Sequence, residues 1–191
     1  IVIANFFIFT SFQMTLPTLP LYVQEIGSNE TWVGIIVGIF TFSALLVRPF
    51  GGKMLDTKGR APVFLTGLVI LVTSLYSLAI STTILILVIV RIVQGVGWGL
   101  SNTASGTIAS DLVPKDRRGE GLGFFGLSGN LALAIGPALG LFLVNHIEFS
   151  TLFIICGSLT LIALLLALNV KYVKAEPLTQ AEIEEDELNT S

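Results

Sequence analysis

Six apolar stretches, each about as long as a bilayer is thick, leave this chain few ways to fold. A helix crosses the hydrocarbon core with about 20 predominantly apolar residues. Such stretches run over roughly 1–24, 31–52, 62–81, 84–110, 120–145 and 149–171. Residues 61–110 hold one charged side chain, Arg91, and residues 121–170 hold one, Glu148. In hydrocarbon each backbone polar group must be satisfied internally, which a helix does within its own segment. The expected fold is therefore an all-α membrane protein, a six-transmembrane-helix bundle over residues 1–172. The first stretch has no basic n-region and is too long for the apolar core of a secretory signal. The chain begins at Ile1 rather than Met, which reads as a missing N-terminal stub.

Charge adds a direction. The net charge of −3 conceals a segregation. Six of the 13 acids (Glu176, Glu182, Glu184, Glu185, Asp186 and Glu187) lie in the last sixteen residues, whereas residues 1–175 carry ten Lys and Arg against seven acids. Residues 173–191 read as an acidic cytoplasmic linker or tail. Basic residues cluster after the second stretch (Lys53, Lys58, Arg60), after the fourth (Lys115, Arg117, Arg118) and after the sixth (Lys171, Lys174). The alternate connections carry none. The positive-inside rule places both basic loops and both ends of the segment in the cytoplasm. A lone cysteine and a lone histidine exclude a disulfide scaffold and a Cys/His metal site within the chain. The charge distribution lacks a nucleic-acid footprint, and no nucleophile–base arrangement points to an enzyme. No cofactor is expected.

Three strings stand out. The connection after the second stretch reads Gly52-Lys-Met-Leu-Asp56-Thr-Lys58-Gly59-Arg60. Taken singly, these residues make an ordinary basic turn, with Gly52 allowing close packing and Gly59 free to take a positive φ. The fourth stretch contains Arg91-Ile-Val-Gln94-Gly95-Val-Gly97-Trp98-Gly99. At helical spacing Arg91, Gln94, Trp98, Asn102 and Ser105 share one stripe, which belongs against a cavity or another helix rather than lipid. The plainer reading of Gln94 and Asn102 is helix–helix hydrogen bonding. The fifth stretch contains Gly123, Ala132, Gly136-Pro137 and Gly140-Leu141. Gly136 and Gly140 are spaced for close backbone approach, and Pro137 favours a kink. Gly34 and Gly38 have the same spacing in the second stretch.

These strings resemble, in order and in sidedness, the motifs of the major facilitator superfamily. G-x-x-x-D-x-x-G-R resembles its motif A, departing at Ala61. R-x-x-Q-G resembles motif B, and the string around Gly136-Pro137 resembles the antiporter motif C, departing at Ala132 and Leu141. Leu16-Pro17-Thr-Leu-Pro20 is similar to the paired prolines of twelve-span drug exporters. The resemblance implies the N-terminal half of a facilitator fold, built as two inverted three-helix repeats, with a C-terminal six-helix half missing from this chain. It implies a secondary active transporter in a bacterial cytoplasmic membrane, exporting small organic molecules or drugs in exchange for protons by alternating access. Arg91 and Gln94 would then serve proton coupling. Gly52, Asp56, Gly59, Arg60, Asp111 and Arg118 would form a cytoplasmic conformational latch. Gly123, Gly136, Pro137 and Gly140 would set hinge packing. Read from the residues themselves, Asn5, Phe9 and Gln13 share a helical stripe that, with Trp98 and Asn102, would line a substrate cavity, and Phe9, Phe12, Phe40, Phe42, Trp98 and Phe124 would form an apolar wall, ordinary packing being the plainer reading of each aromatic residue taken alone. Membrane lipid, a small-molecule substrate and protons are the expected partners, with no nucleic acid. The alternative is a six-helix membrane protein acting as a homodimeric scaffold or assembly factor.

Overall fold

The computed structural model describes residues 1–170 and Tyr172; the acidic segment 173–191 and Lys171 lie outside the described residues. Six long helices follow one another: α1 (Val2–Glu25), α2 (Glu30–Lys58), α3 (Arg60–Ala79), α4 (Ile84–Leu112), α5 (Arg118–Val144) and α6 (Phe149–Leu168), with one 3₁₀ turn (Lys115–Arg117) before α5. All six are long and apolar enough to cross a membrane. The expected six-helix bundle is thus observed, and the chain is a multi-pass membrane protein.

The elements differ from the sequence reading at two connections. The string Gly52–Arg60 is not a loop. Helix α2 continues through it to Lys58, and the reversal into α3 is made by Gly59 alone. Gly59 has φ 88° and ψ 167°, a region essentially restricted to glycine because a Cβ would clash with the backbone. A single residue can turn the chain only there, so the glycine of the string is the turn. On the opposite face, Asn29 caps α2 by accepting from the Trp32 amide at 3.2 Å, and Glu30 sits in the first turn. Both features favour a helix start. Helix α6 stops at Leu168, short of 171, where Asn169 ends the hydrogen-bonded spiral.

The packing has an internal symmetry. Helix α4 lies against α2 and α3, and α1 lies against α5 and α6, while α3 pairs with α6. Exchanging α1–α3 for α4–α6 leaves this pattern unchanged. Three consecutive spanning helices start on one side of the membrane and the next three on the other, so the two units are inverted repeats. The outer helices α2 and α5 are the most exposed of the bundle.

Glycines set the seams. A Cβ on Gly95 would meet the Phe40 carbonyl and Ser43, and one on Gly99 would lie 2.6 Å from the Ala44 carbonyl, which brings α4 against α2. On the other side of α4, Gly97 and Gly67 meet, with 3.0 Å from each built Cβ to the other residue's carbonyl oxygen. In the related α1–α5 seam, a Cβ on Gly136 would be 2.6 Å from Gln13 Cβ, and one on Gly140 2.6 Å from the Met14 carbonyl. Without a hydrophobic force between helices in lipid, such close approach supplies the attraction through dispersion contacts.

Four glycines do not pack as the sequence suggests. Gly34, Gly38 and Gly123 have nothing within 4 Å of a built Cβ. At about 100° per residue, Gly34 and Gly38 point away from the α2 face that carries Ile36, Phe40, Ser43 and Val47. Gly123, thirteen residues before Gly136, points away from the α5 face that meets α1. Gly52 is likewise open, and its neighbour Gly51 takes the α4 contact, 3.3 Å from Leu100 Cδ2.

Candidate functional site

Near the middle of the helices, side chains from α1, α2 and α4 converge. Arg91 is 2% exposed. Its Nη1 donates to Gln94 Oε1 at 2.7 Å, and its Nε donates to the Ile36 carbonyl of α2 at 3.3 Å. The guanidinium carbon lies 4.2 Å from the centre of the Phe40 ring. A cation in a membrane helix is costly unless it faces the bundle interior and finds partners. Here an amide oxygen, a backbone oxygen and a π face supply them. The three-residue spacing between Arg91 and Gln94 puts both on one helix face, so the pair forms within α4 itself.

Phe40 belongs to an aromatic cluster. Its ring stacks on Phe12 of α1 at 5.4 Å, and Phe12 stacks on Trp98 of α4 at 4.1 Å. Phe40 and Trp98 close the triangle at 6.4 Å, and Phe9 lies against Trp98 at 5.1 Å. Trp98 is the central residue of α4. The wall expected from six aromatic residues thus divides. Phe9, Phe12, Phe40 and Trp98 are brought together. Phe42 is 58% exposed on the outer face of α2, and Phe124, also 58% exposed, lines a separate apolar groove of about 320 Å³ with Val2, Ile3, Phe6, Leu127 and Leu131.

The polar residues of α1 are divided between its two seams. Asn5 donates from Nδ2 to Ser128 Oγ of α5 at 2.9 Å, and its Oδ1 has no partner among the described residues. Gln13 packs its Cβ on Gly136 and is 7% exposed. Ser11 donates to the Cys156 carbonyl of α6 at 2.8 Å. Asn5 and Gln13 are therefore placed in the α1–α5 contact, while Phe9 and Trp98 lie together and Asn102 is half-buried about one turn further along α4.

At the end of the bundle that carries the basic loops, Arg60 Nε donates to Asp111 Oδ2 at 2.9 Å, joining the start of α3 to the end of α4. Arg60 also donates to the Leu55 carbonyl at 3.3 Å. Tyr172, beyond α6, lines the same small crevice with Ile108 and Leu112, and its hydroxyl donates to the Ala167 carbonyl at 2.7 Å. Burial pushes its phenol above the usual tyrosine value. Asp56 and Arg118 are exposed and take no part in this ion pair. The second pair among the described residues joins Arg117 to Glu120 on the surface.

Sequence reasoning located Arg91, Gln94, Arg60, Asp111 and the Gly136–Gly140 contact. The α4 glycines Gly95 and Gly99 are packing residues too, and their four-residue spacing, the same as that of Gly136 and Gly140, is the signal for it in the sequence. The link of Phe40 to Arg91 crosses between helices, so sequence spacing carries no signal of it.

Inverted three-helix repeats around a polar and aromatic centre are an architecture of secondary-transporter folds. The profile of the Major Facilitator Superfamily matches residues 1–189, and the chain belongs to that superfamily. It is 28% identical over 185 residues to the multi-drug resistance efflux pump PmrA homolog of Lactococcus lactis subsp. lactis, covering 95% of this chain and 45% of that protein. It is 23% identical over 163 residues to the quinolone resistance protein NorA of Staphylococcus aureus, covering 85% of this chain and 42% of NorA. Among solved structures it resembles the peptide transporter POT in complex with sulfate (TM-score 0.82, 19% identity, 99% of this chain and 42% of that one). It also resembles the human organic anion transporter MFSD10 (TM-score 0.71, 22% identity, 87% and 45%). The chain spans less than half the length of these relatives.

Proposed function

We propose that this chain is the N-terminal half of a secondary active transporter that exports small organic molecules or drugs in exchange for protons by alternating access. Both ends of the segment lie on the cytoplasmic side, and a second six-helix half completes the cavity. The observation that carries the reading is Arg91, a cation held at 2% exposure with no carboxylate ion-paired to it among the described residues. A buried positive charge favours the deprotonated form of any carboxylate that approaches it. A carboxylate brought near Arg91 in one conformation and withdrawn in the other would release and take up a proton with each cycle. The aromatic cluster beside Arg91 offers a flat apolar surface to organic substrates. Arg60 and Asp111 hold the cytoplasmic ends of α3 and α4 together, with Asp56 and Arg118 nearby to engage the second half. Gly136, Pro137 and Gly140 give α5 a close-packed pivot against α1. The names of the relatives, a quinolone resistance protein and a multi-drug efflux pump, support export of drug-like compounds.

The test uses the full-length protein in proteoliposomes with an imposed pH gradient and a fluorescent quinolone. The wild type accumulates the quinolone against its gradient, and Arg91→Ala abolishes accumulation while retaining helical content and monodispersity. Gradient-driven accumulation by Arg91→Ala at the wild-type rate overturns the coupling role. Wild-type protein that equilibrates the quinolone without responding to the pH gradient overturns proton coupling.

A further inference from the structure

We infer that Phe40 is a positioning residue, through which the placement of the Arg91 guanidinium on α4 is transmitted to Trp98 seven residues further along the same helix. The inference deepens the transporter reading and takes its functional meaning from it. Arg91 and Trp98 belong to one rigid helix, so neither can shift relative to the other through the backbone. Their side chains can, and both touch Phe40. The guanidinium lies 4.2 Å from the Phe40 centroid on the α2–α4 seam. The ring of Trp98 lies 6.4 Å away and shares Phe12 as a stacking partner with Phe40.

The backbone around Phe40 is held in place. A Cβ on Gly95 would collide with the Phe40 carbonyl and with Ser43, so α2 cannot move toward α4 at this level. Phe40 is 5% exposed. A side chain enclosed this tightly answers a displacement of Arg91 by turning its ring, and that ring borders both Phe12 and Trp98. Apart from the Phe40 ring, the polar partners that hold the Arg91 guanidinium are two hydrogen-bond acceptors, one of them at the long distance of 3.3 Å. Helix α1 meets α2 and α4 only briefly, and Phe12 is placed at that meeting. The cluster therefore links the two inverted repeats at the point where a substrate and a carboxylate would act. Movement of Arg91 during proton exchange alters the aromatic surface offered to substrate, and occupancy of that surface restrains Arg91.

The experiment uses full-length protein in nanodiscs with every tryptophan except Trp98 replaced by phenylalanine. Acrylamide quenching of Trp98 is compared for the parent, Arg91→Lys, Phe40→Leu, Phe40→Tyr and the double variants. Lysine keeps the charge and loses the planar face. Arg91→Lys is expected to shift the Trp98 quenching constant beyond replicate error, because a point-charge ammonium on a flexible stem does not stack on the Phe40 ring as the planar guanidinium does. The same change is expected in the Phe40→Tyr background and is absent in Phe40→Leu. Gln94→Ala, which frees the guanidinium without altering its charge, gives the same pattern if Arg91→Lys does not fold. An Arg91→Lys effect of equal size with and without the Phe40 ring overturns the inference, as does no effect in the parent. Loss of quinolone transport by the wild type with this coupling intact counts against the transporter reading alone.

Discussion

Two glycines of α5 carry equal weight in the sequence pattern and opposite weight in the structure. A Cβ on Gly140 would lie 2.6 Å from the Met14 carbonyl oxygen, 3.0 Å from its Cα and 3.1 Å from its carbonyl carbon. All three are backbone atoms of α1, which cannot turn aside as a side-chain end would. The same Cβ on Gly123 meets nothing within 4 Å. Replacing glycine by alanine in a helix interior gains about 0.8–1.0 kcal/mol of propensity at either site. Forcing a methyl group into a packed contact costs about 1–3 kcal/mol. Gly123→Ala should therefore stabilise slightly, whereas Gly140→Ala should be neutral to about 2 kcal/mol destabilising. Because the propensity gain is common to both, the difference between the variants isolates the steric contact, at about 1–3 kcal/mol. That corresponds to about 5- to 150-fold in the folded-to-unfolded ratio. SDS-driven unfolding of full-length protein, followed by circular dichroism, measures it. Equal stability of Gly123→Ala and Gly140→Ala would refute the assigned seam.

The remaining predictions concern the end of the bundle that carries the basic loops. The Arg60–Asp111 pair has side-chain exposures of 18% and 34%, so a double-mutant cycle with Arg60→Gln and Asp111→Asn should give a coupling below about 1 kcal/mol that shrinks in high salt. A larger, salt-independent coupling would show that the pair is shielded far more than these exposures indicate. Burial raises the Tyr172 phenol above its usual value, so its neutral form is favoured in the folded protein. Its stabilising contribution is complete below the ordinary tyrosine value and is lost as pH rises through the raised one. Difference absorbance near the phenolate band, compared between the parent and Tyr172→Phe, should show this one titration displaced to higher pH than a free tyrosine.

The number of helices, their order and the asymmetry of the basic loops were legible in the sequence. Lipid admits only helices or closed barrels, and six apolar stretches of spanning length select helices. The superfamily was legible as well, since its motifs are short local strings. Arg91 with Gln94 was readable because the pair lies on one helix at three-residue spacing. The meeting of Arg60 with Asp111, 51 positions apart, was reached only through the resemblance. What only the tertiary structure decided is which face of each helix meets which neighbour. Gly34, Gly38 and Gly123 have the composition of packing residues but point away from the seams, while Gly95, Gly97 and Gly99 carry α4 between α2 and α3. Phe40 was one aromatic residue among several until α2 packed on α4 and placed its ring under Arg91. Sequence spacing fixes the angle of a side chain about its own helix axis. The partner on the other side is fixed by the rotation of the neighbouring helix, which depends on all the contacts of the bundle together.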